Sequence, residues 1–335
     1  MGKTETIVVG TGGMARAHIR SMLAMKRSTR ITGLVEPSKD ARQATEALIA
    51  RQGAPVPPFF SSIRELLKAQ GPSDAALICS PHKYHFENAR ECLKSGMDVC
   101  LEKPMVMSTS EARRLIRLRD ETRRLLVVAF PGSLSPAIQK AKTLLRKGAI
   151  GRVTAISAYA HQNWKGPTTG TWRQDPVISG GGFLFDTGSH MLNTVVDLLG
   201  EDIVRVTALL DNCGTPVEVN SSVSGRSRTG IAISLAGAGD SVQCCSQVFV
   251  FGDKGVIRTG IWGENLSRKR AGSPDYVDVP YRASRGPWEQ FLKVRAGMME
   301  NPCPAEVGLR FAKLMDMIRK SSETGRTVAT RGGPG

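Results

Sequence analysis

Ile7-Val8-Val9-Gly10-Thr11-Gly12-Gly13-Met14-Ala15 decides how this chain folds. The apolar triplet reads as a short buried strand, the glycines follow at once, and a helical pattern carrying Ala17, Ile19, Met22 and Leu23 comes next. A G-x-G-x-x-(G/A) pattern says little alone; between a strand and a helix it is a dinucleotide-binding fingerprint. Gly10 permits the tight turn, Gly12 lets the backbone approach a pyrophosphate, and Ala15 is small enough for helix and strand to pack closely. The helix N-terminus adds free N–H groups and partial positive charge, so Gly10, Gly12, Gly13, Met14 and Ala15 form the candidate cofactor loop.

A second strand, Ile31 to Val35, ends in Glu36. A carboxylate there accepts hydrogen bonds from both ribose hydroxyls and repels a 2′-phosphate, which favours NAD over NADP; Ser38 and Lys39 nearby temper that preference. Strands and helices keep alternating to Phe130, with strands at 75–79, 99–101 and 125–130 and a helix stop at Gly96. This specifies a doubly wound parallel sheet, a Rossmann-type α/β domain over residues 1–130. Ligands bind beyond the carboxyl ends of such strands, where Ser80, Pro81, Glu102 and Lys103 fall. Lys103 follows an apolar strand and precedes Pro104, so its ammonium is expected on a rigid platform, able to hydrogen-bond a substrate hydroxyl and stabilise a developing alkoxide.

After Phe130 the pattern changes. β-like runs at 153–159, 203–210, 229–235 and 246–251, and a turn at Gly252-Asp253-Lys254-Gly255, argue for a large, mostly antiparallel sheet over residues 131–335. The C-terminal helices, near 287–300 and 305–324, are expected to pack back on the first domain. Between the runs lies Gly180-Gly181-Gly182-Phe183-Leu184-Phe185-Asp186-Thr187-Gly188-Ser189-His190. A helix from Phe183 would put Asp186 and His190 on one face at i, i+4, a carboxylate orienting an imidazole for proton transfer. Just upstream, an indole such as Trp172 could stack on a pyranose, and Arg173 could bind a carboxylate or phosphate. The alternative for each tryptophan is a plug between domains.

The composition agrees with two soluble globular domains: 335 residues, 41% hydrophobic and 23% charged. The net charge of +16 is spread over several helices, with no basic tail, zinc-finger spacing or aromatic RNA motif, so a field that attracts small anionic molecules is expected rather than nucleic-acid binding, though solubility alone would also account for it. Seven cysteines contain no C-x-x-C pair, and no apolar leader or membrane-length run is present; a reduced, cytoplasmic setting is expected. Cys79, His82 and His85 recur every three residues but straddle a strand-to-helix turn and lack a fourth ligand, so no metal site is expected.

Together these residues resemble the glucose-fructose oxidoreductase, inositol dehydrogenase and rhizopine-catabolism family. The resemblance is carried by Gly10 to Ala15 with His18, Ser80-Pro81 followed by His85, Glu102-Lys103-Pro104, Gly148-Ala149-Ile150-Gly151, Gly181-Gly182 through Asp186, Gly188 and His190, and Gly252-Asp253-Lys254-Gly255. It implies an NAD(P)-dependent oxidoreductase of sugars or cyclitols, with Lys103, Asp186 and His190 catalytic and His85 and Glu102 beside the cofactor. It also implies a homodimer or homotetramer joined through the C-terminal sheet. Two other activities are found among such proteins, NAD-assisted glycoside cleavage and non-catalytic regulation. Asn193 stands where many relatives have Asp, which keeps hydrogen bonding to substrate but removes a charge, and Phe130 to Leu134 lacks the Asn and Arg often found there.

Overall fold

In the computed structural model, which describes residues 2–330, two units form around two sheets. The first comprises residues up to Val106, then Ser110–Ala129 and Arg285–Ala305. Its strands are β1 (Thr4–Val9), β2 (Thr29–Val35), β3 (Phe59–Phe60), β4 (Ala75–Ile78), β5 (Asp98–Leu101) and β6 (Leu126–Val128), in the order β3-β2-β1-β4-β5-β6 with every pairing parallel. The order reverses between β1 and β4, the kind of switch point that leaves a crevice at the carboxyl ends of the strands. Helices α1 (Gly13–Ala24), α2 (Lys39–Arg51), α3 (Ile63–Gln70), α4 (His85–Lys94) and α5 (Thr109–Thr122) complete the alternation. Ile7, Val8, Ala76 and Leu77 are buried on both faces of the sheet, which explains why these strands read as unbroken apolar runs.

The second unit comprises Met107–Thr109, Phe130–Ser284 and the chain from Glu306. It begins with α6 (Pro131–Leu134), α7 (Pro136–Arg146), β7 (Val153–Asn163), α8 (Lys165–Thr168), α9 (Pro176–Ser179) and α10 (Gly188–Leu199). Seven strands follow: β8 (Ile203–Asp211), β9 (Asn220–Ser227), β10 (Ala232–Ala238), β11 (Asp240–Gly252), β12 (Gly255–Thr259), β13 (Leu266–Arg270) and β14 (Val277–Asp278). The nine-stranded sheet runs β14-β13-β12-β11-β7-β10-β9-β8-β15, where β15 is Val328–Ala329. All of its pairings are antiparallel except β7 with β10. Helix α10 lies against β7 and β11, and α7 against β12 and β13. Along β8, β9 and β10 buried and exposed residues alternate, the mark of a sheet with one covered face.

The two C-terminal helices part company. In α11 (Pro287–Arg295), Trp288 Nε1 donates to Thr29 Oγ1 at 2.9 Å and Arg295 Nε lies 2.9 Å from Asp98 Oδ2, so it is built into the first unit. All but the first residue of α12 (Ala305–Thr324) falls in the second unit, with the Phe311 ring against Phe130 and Phe185. Among the described residues, no helix is long and apolar enough to cross a membrane.

Candidate active site

In the first unit, the fingerprint loop leaves β1 as the sequence predicts. Gly10 has φ +81°, and a Cβ there would lie 2.7 Å from Ser80 N, so the position tolerates only glycine. Gly12 and Gly13 face open space: a Cβ at either would meet nothing within 4 Å. Gly12 caps α1 with no side-chain hydrogen bond to the helix, Met14 is exposed, and Ala15 is fully buried against the sheet. An uncapped helix N-terminus beside two side-chain-free positions is a cradle that fits a pyrophosphate.

Glu36 completes that cradle. Its Oε2 accepts the Thr11 N–H at 2.7 Å and its Oε1 the Ser38 N–H at 2.9 Å. The carboxylate is thereby fixed in orientation, with acceptor capacity left for ribose hydroxyls. Ser38 accepts from Ala41 N as the N-cap of α2, so its hydroxyl has a structural task.

The residues around Lys103 divide between those that face outward and those that brace. Glu102 is buried: its Oε1 lies 2.6 Å from His18 Nε2, and its Oε2 accepts the Lys103 N–H at 3.0 Å. Burial pushes this carboxyl up, but the His18 hydrogen bond and charge, with Lys103, outweigh it and hold it below the usual range. His85 is 1% exposed, with Nδ1 2.8 Å from Pro104 O and Nε2 2.8 Å from Ser80 O. Burial pushes its imidazole below the usual value, against the pull of those two carbonyls. Read from the sequence as cofactor neighbours, both side chains also brace the loops here: His85 ties the loop after β4 to the loop after β5, and Glu102 ties the latter to α1 and to the Lys103 N–H. Ser80 Oγ accepts from Asn88 Nδ2 at 2.9 Å, and Ser80 and Pro81 are half-buried.

In the second unit the expected helix from Phe183 is not formed; α10 starts at Gly188. The reason is Glu218, in the connection between β8 and β9. Its carbonyl accepts the Phe183 N–H at 2.7 Å and its Oε1 the Phe185 N–H at 3.2 Å. Residues 183–187 therefore make a turn closed by Asp186 N to Gly182 O (2.8 Å) and Gly188 N to Phe183 O (2.7 Å). Asp186 precedes the helix, and His190 sits in its first turn.

The Asp186 carboxylate is buried, and its Oδ2 accepts from Trp164 Nε1 at 2.9 Å and from Arg173 Nε at 3.0 Å. Arg173 thus pairs with Asp186, while its guanidinium also lies 4.6 Å from the centre of the Trp172 ring. Trp164 is enclosed and serves as a donor to Asp186; Trp172 is half-buried. The stretch between β7 and α10 holds α8, α9 and a short helical turn, Trp172–Gln174. Asn193, read from the sequence as a substrate contact, is fully buried, its Nδ2 donating to Ser133 Oγ at 2.8 Å.

His190 is 8% exposed and stands between two aromatic rings: Phe130 at 6.0 Å, nearly perpendicular, and Trp262 at 5.7 Å, tilted by 58°. Trp262, on the turn between β12 and β13, has no sequence motif to announce it. Only the pairing of distant strands brings it beside His190.

Comparison with known proteins shows the family of the chain. Residues 4–130 match the profile of the oxidoreductase family with an NAD-binding Rossmann fold, and residues 138–258 match the GFO/IDH/MocA C-terminal domain. The chain is 28% identical over 203 residues to inositol 2-dehydrogenase of Streptomyces avermitilis, a match spanning 60% of this chain and 55% of that protein. In fold it is similar to aldose-aldose oxidoreductase from Caulobacter crescentus (TM-score 0.84, 21% identity, 98% of this chain and 100% of the other). It is similar also to the WlbA dehydrogenase from Bordetella pertussis, solved with NADH and UDP-GlcNAcA (TM-score 0.82, 21% identity, 98% and 99%). Because two profiles of one family match both halves in order, this chain belongs to the GFO/IDH/MocA family of NAD-binding oxidoreductases.

Proposed function

We propose that this oxidoreductase exchanges a hydride between NAD and a hydroxyl-bearing carbon of a sugar, sugar derivative or cyclitol, with His190 as the proton acceptor. The observation that carries the reading is the built environment of Asp186 and His190: a carboxylate fixed by an indole and a guanidinium, immediately before a helix whose first turn carries an aromatic-flanked imidazole. Bound NAD supplies the hydride acceptor at nicotinamide C4. Gly12, Gly13 and the N-terminus of α1 would hold its pyrophosphate, and Glu36 its adenine ribose. His190 takes the hydroxyl proton as the C–H bond breaks, the general-base work for which imidazole is the commonest side chain. The Lys103 ammonium donates to the same oxygen and offsets its growing negative charge. Asp186, anchored by Trp164 and Arg173, holds a neighbouring substrate hydroxyl or the imidazole. In the reverse direction His190 returns the proton to the carbonyl oxygen.

The test is a spectrophotometric screen of NAD and NADP against inositols, aldoses, sugar acids and nucleotide-linked sugars, with His190→Ala and Lys103→Ala alongside. NAD-dependent turnover is expected, falling about 10²–10⁴-fold in His190→Ala. Turnover within a few-fold of the parent in that variant would remove His190 from the mechanism, and NADP activity far above NAD would overturn the assignment of Glu36.

A further inference from the structure

We propose that Trp262 is the platform on which the substrate ring lies, so that the site selects a cyclitol or pyranose with equatorial hydroxyls. This rests on the proposed role of His190 and names the substrate class of the same site. The indole does not sit beside the imidazole by accident of a loose loop. Its turn is pinned to the helix that bears His190: Thr194 Oγ1 donates to Ile261 O at 2.8 Å. Gly132 makes room for that approach, since a Cβ there would lie 2.6 Å from Ile261 O. The turn is also closed on itself, by Trp262 N to Glu264 Oε2 at 3.0 Å and Gly263 N to Gly260 O at 3.2 Å, and Tyr281 Oη donates to Glu264 O at 3.1 Å.

Among the four tryptophans this one is placed to meet substrate. Trp164 and Trp288 are 3% and 1% exposed, with their indole N–H groups donated internally, and Trp172 already carries a guanidinium over its ring. Trp262 is half-buried, with its ring against the imidazole assigned as base. The face of an indole is electron-rich and attracts C–H bonds polarised by neighbouring oxygens. A six-membered ring with equatorial hydroxyls presents such C–H bonds on each face and its hydroxyls at the rim, where a tilted imidazole can reach one of them. An axial hydroxyl on the stacked face would be pressed against the indole, stripped of water and left without a partner.

Two measurements test this on the NAD-saturated enzyme. In steady-state kinetics with the best substrate of the screen, Trp262→Ala should raise KM about tenfold or more with kcat within about threefold, and Trp262→Phe should restore most of the loss. An unchanged KM, an equal rescue by Trp262→Leu, or a fall confined to kcat would overturn the platform. Circular dichroism of each variant separates these results from unfolding. The second measurement is intrinsic fluorescence during titration with scyllo-inositol, methyl β-D-glucoside and D-chiro-inositol, the last bearing an axial hydroxyl on each face. A saturable change is expected with at least one of the first two, weaker with the third, absent in Trp262→Phe and retained in His190→Ala. Retention there keeps the platform even if His190 is not the base. No saturable change with any of the three, or the same change in Trp262→Phe, would sink the proposal.

Discussion

Replacing Gly182 by alanine should damage both stability and activity, although the substitution adds one methyl group to a non-helical position. A Cβ at Gly182 would lie 1.9 Å from Glu218 O and 2.8 Å from Glu218 N, both backbone atoms that cannot swing aside. Restoring ordinary contact means opening the two segments by about 1.5 Å, the cost class of overpacking at about 1–3 kcal/mol. The same movement breaks the 2.7 Å bond from Phe183 N to Glu218 O and stretches the 3.2 Å bond from Phe185 N to Glu218 Oε1. Each is worth about 0.5–1.5 kcal/mol, so the total comes to about 3 kcal/mol. For a chain of this size that is a fall of about 4 °C in Tm. Because Asp186 N is bonded to Gly182 O, the carboxylate moves with the turn, and under the role proposed for Asp186 a shift on the order of 1 Å costs about 10²-fold in kcat/KM. Gly166→Ala is the control, since its Cβ would come no nearer than 3.8 Å to Asn163 Oδ1. Thermal unfolding and kcat/KM of both variants decide the matter. A Gly182→Ala protein that melts within about 2 °C of the parent, or keeps its kcat/KM within about threefold, would refute the view that Glu218 seats Asp186.

Two further outcomes are expected. Gly12→Ala places a Cβ where the protein has nothing within 4 Å, so cofactor-free Tm should stay within about 2 °C while NAD affinity, read by calorimetry, falls about tenfold or more; unchanged affinity would mean that the pyrophosphate lies elsewhere. Lys142→Met strands Asp197, whose side chain is 1% exposed and whose carboxyl burial already pushes above its ordinary 3.8 despite the 2.6 Å ion pair with Lys142 and a bond from Ser133. An acid whose folded value is raised holds its proton more tightly when folded, so its stabilising contribution is complete below 3.8 and is lost as pH rises through the folded value. Loss of the lysine widens that window upward. Urea unfolding should therefore show a deficit of about 2 kcal/mol at neutral pH, discounted for the partly exposed ammonium, that shrinks toward pH 4. A deficit independent of pH would contradict this.

The sequence alone determined the architecture because its signals are local. The strand, glycine loop and helix at 7–24, the acid closing β2, and the change after Phe130 from alternating elements to successive strands each depend on neighbours a few residues away. Lys103, Asp186 and His190 could be named for the same reason, as motif positions. What they touch could not. The helix pattern from Phe183 was real, yet Glu218, 35 residues later in the chain, takes the Phe183 and Phe185 N–H groups and holds the segment as a turn. His85 and Glu102 are read as cofactor contacts, and only the folded chain shows that they also bond Pro104, Ser80 and His18, and that the Asn193 amide donates to Ser133. Trp164 and Arg173 converge on Asp186, and Trp262 on His190, through the register of strands that pair across long stretches of chain. Hydrogen bonds and ring contacts of that kind have no periodicity to leave in a sequence. Backbone propensity set the elements, and only the packing of α10 against β7 and β11 of the nine-stranded sheet decided which side chains surround the carboxylate and the imidazole.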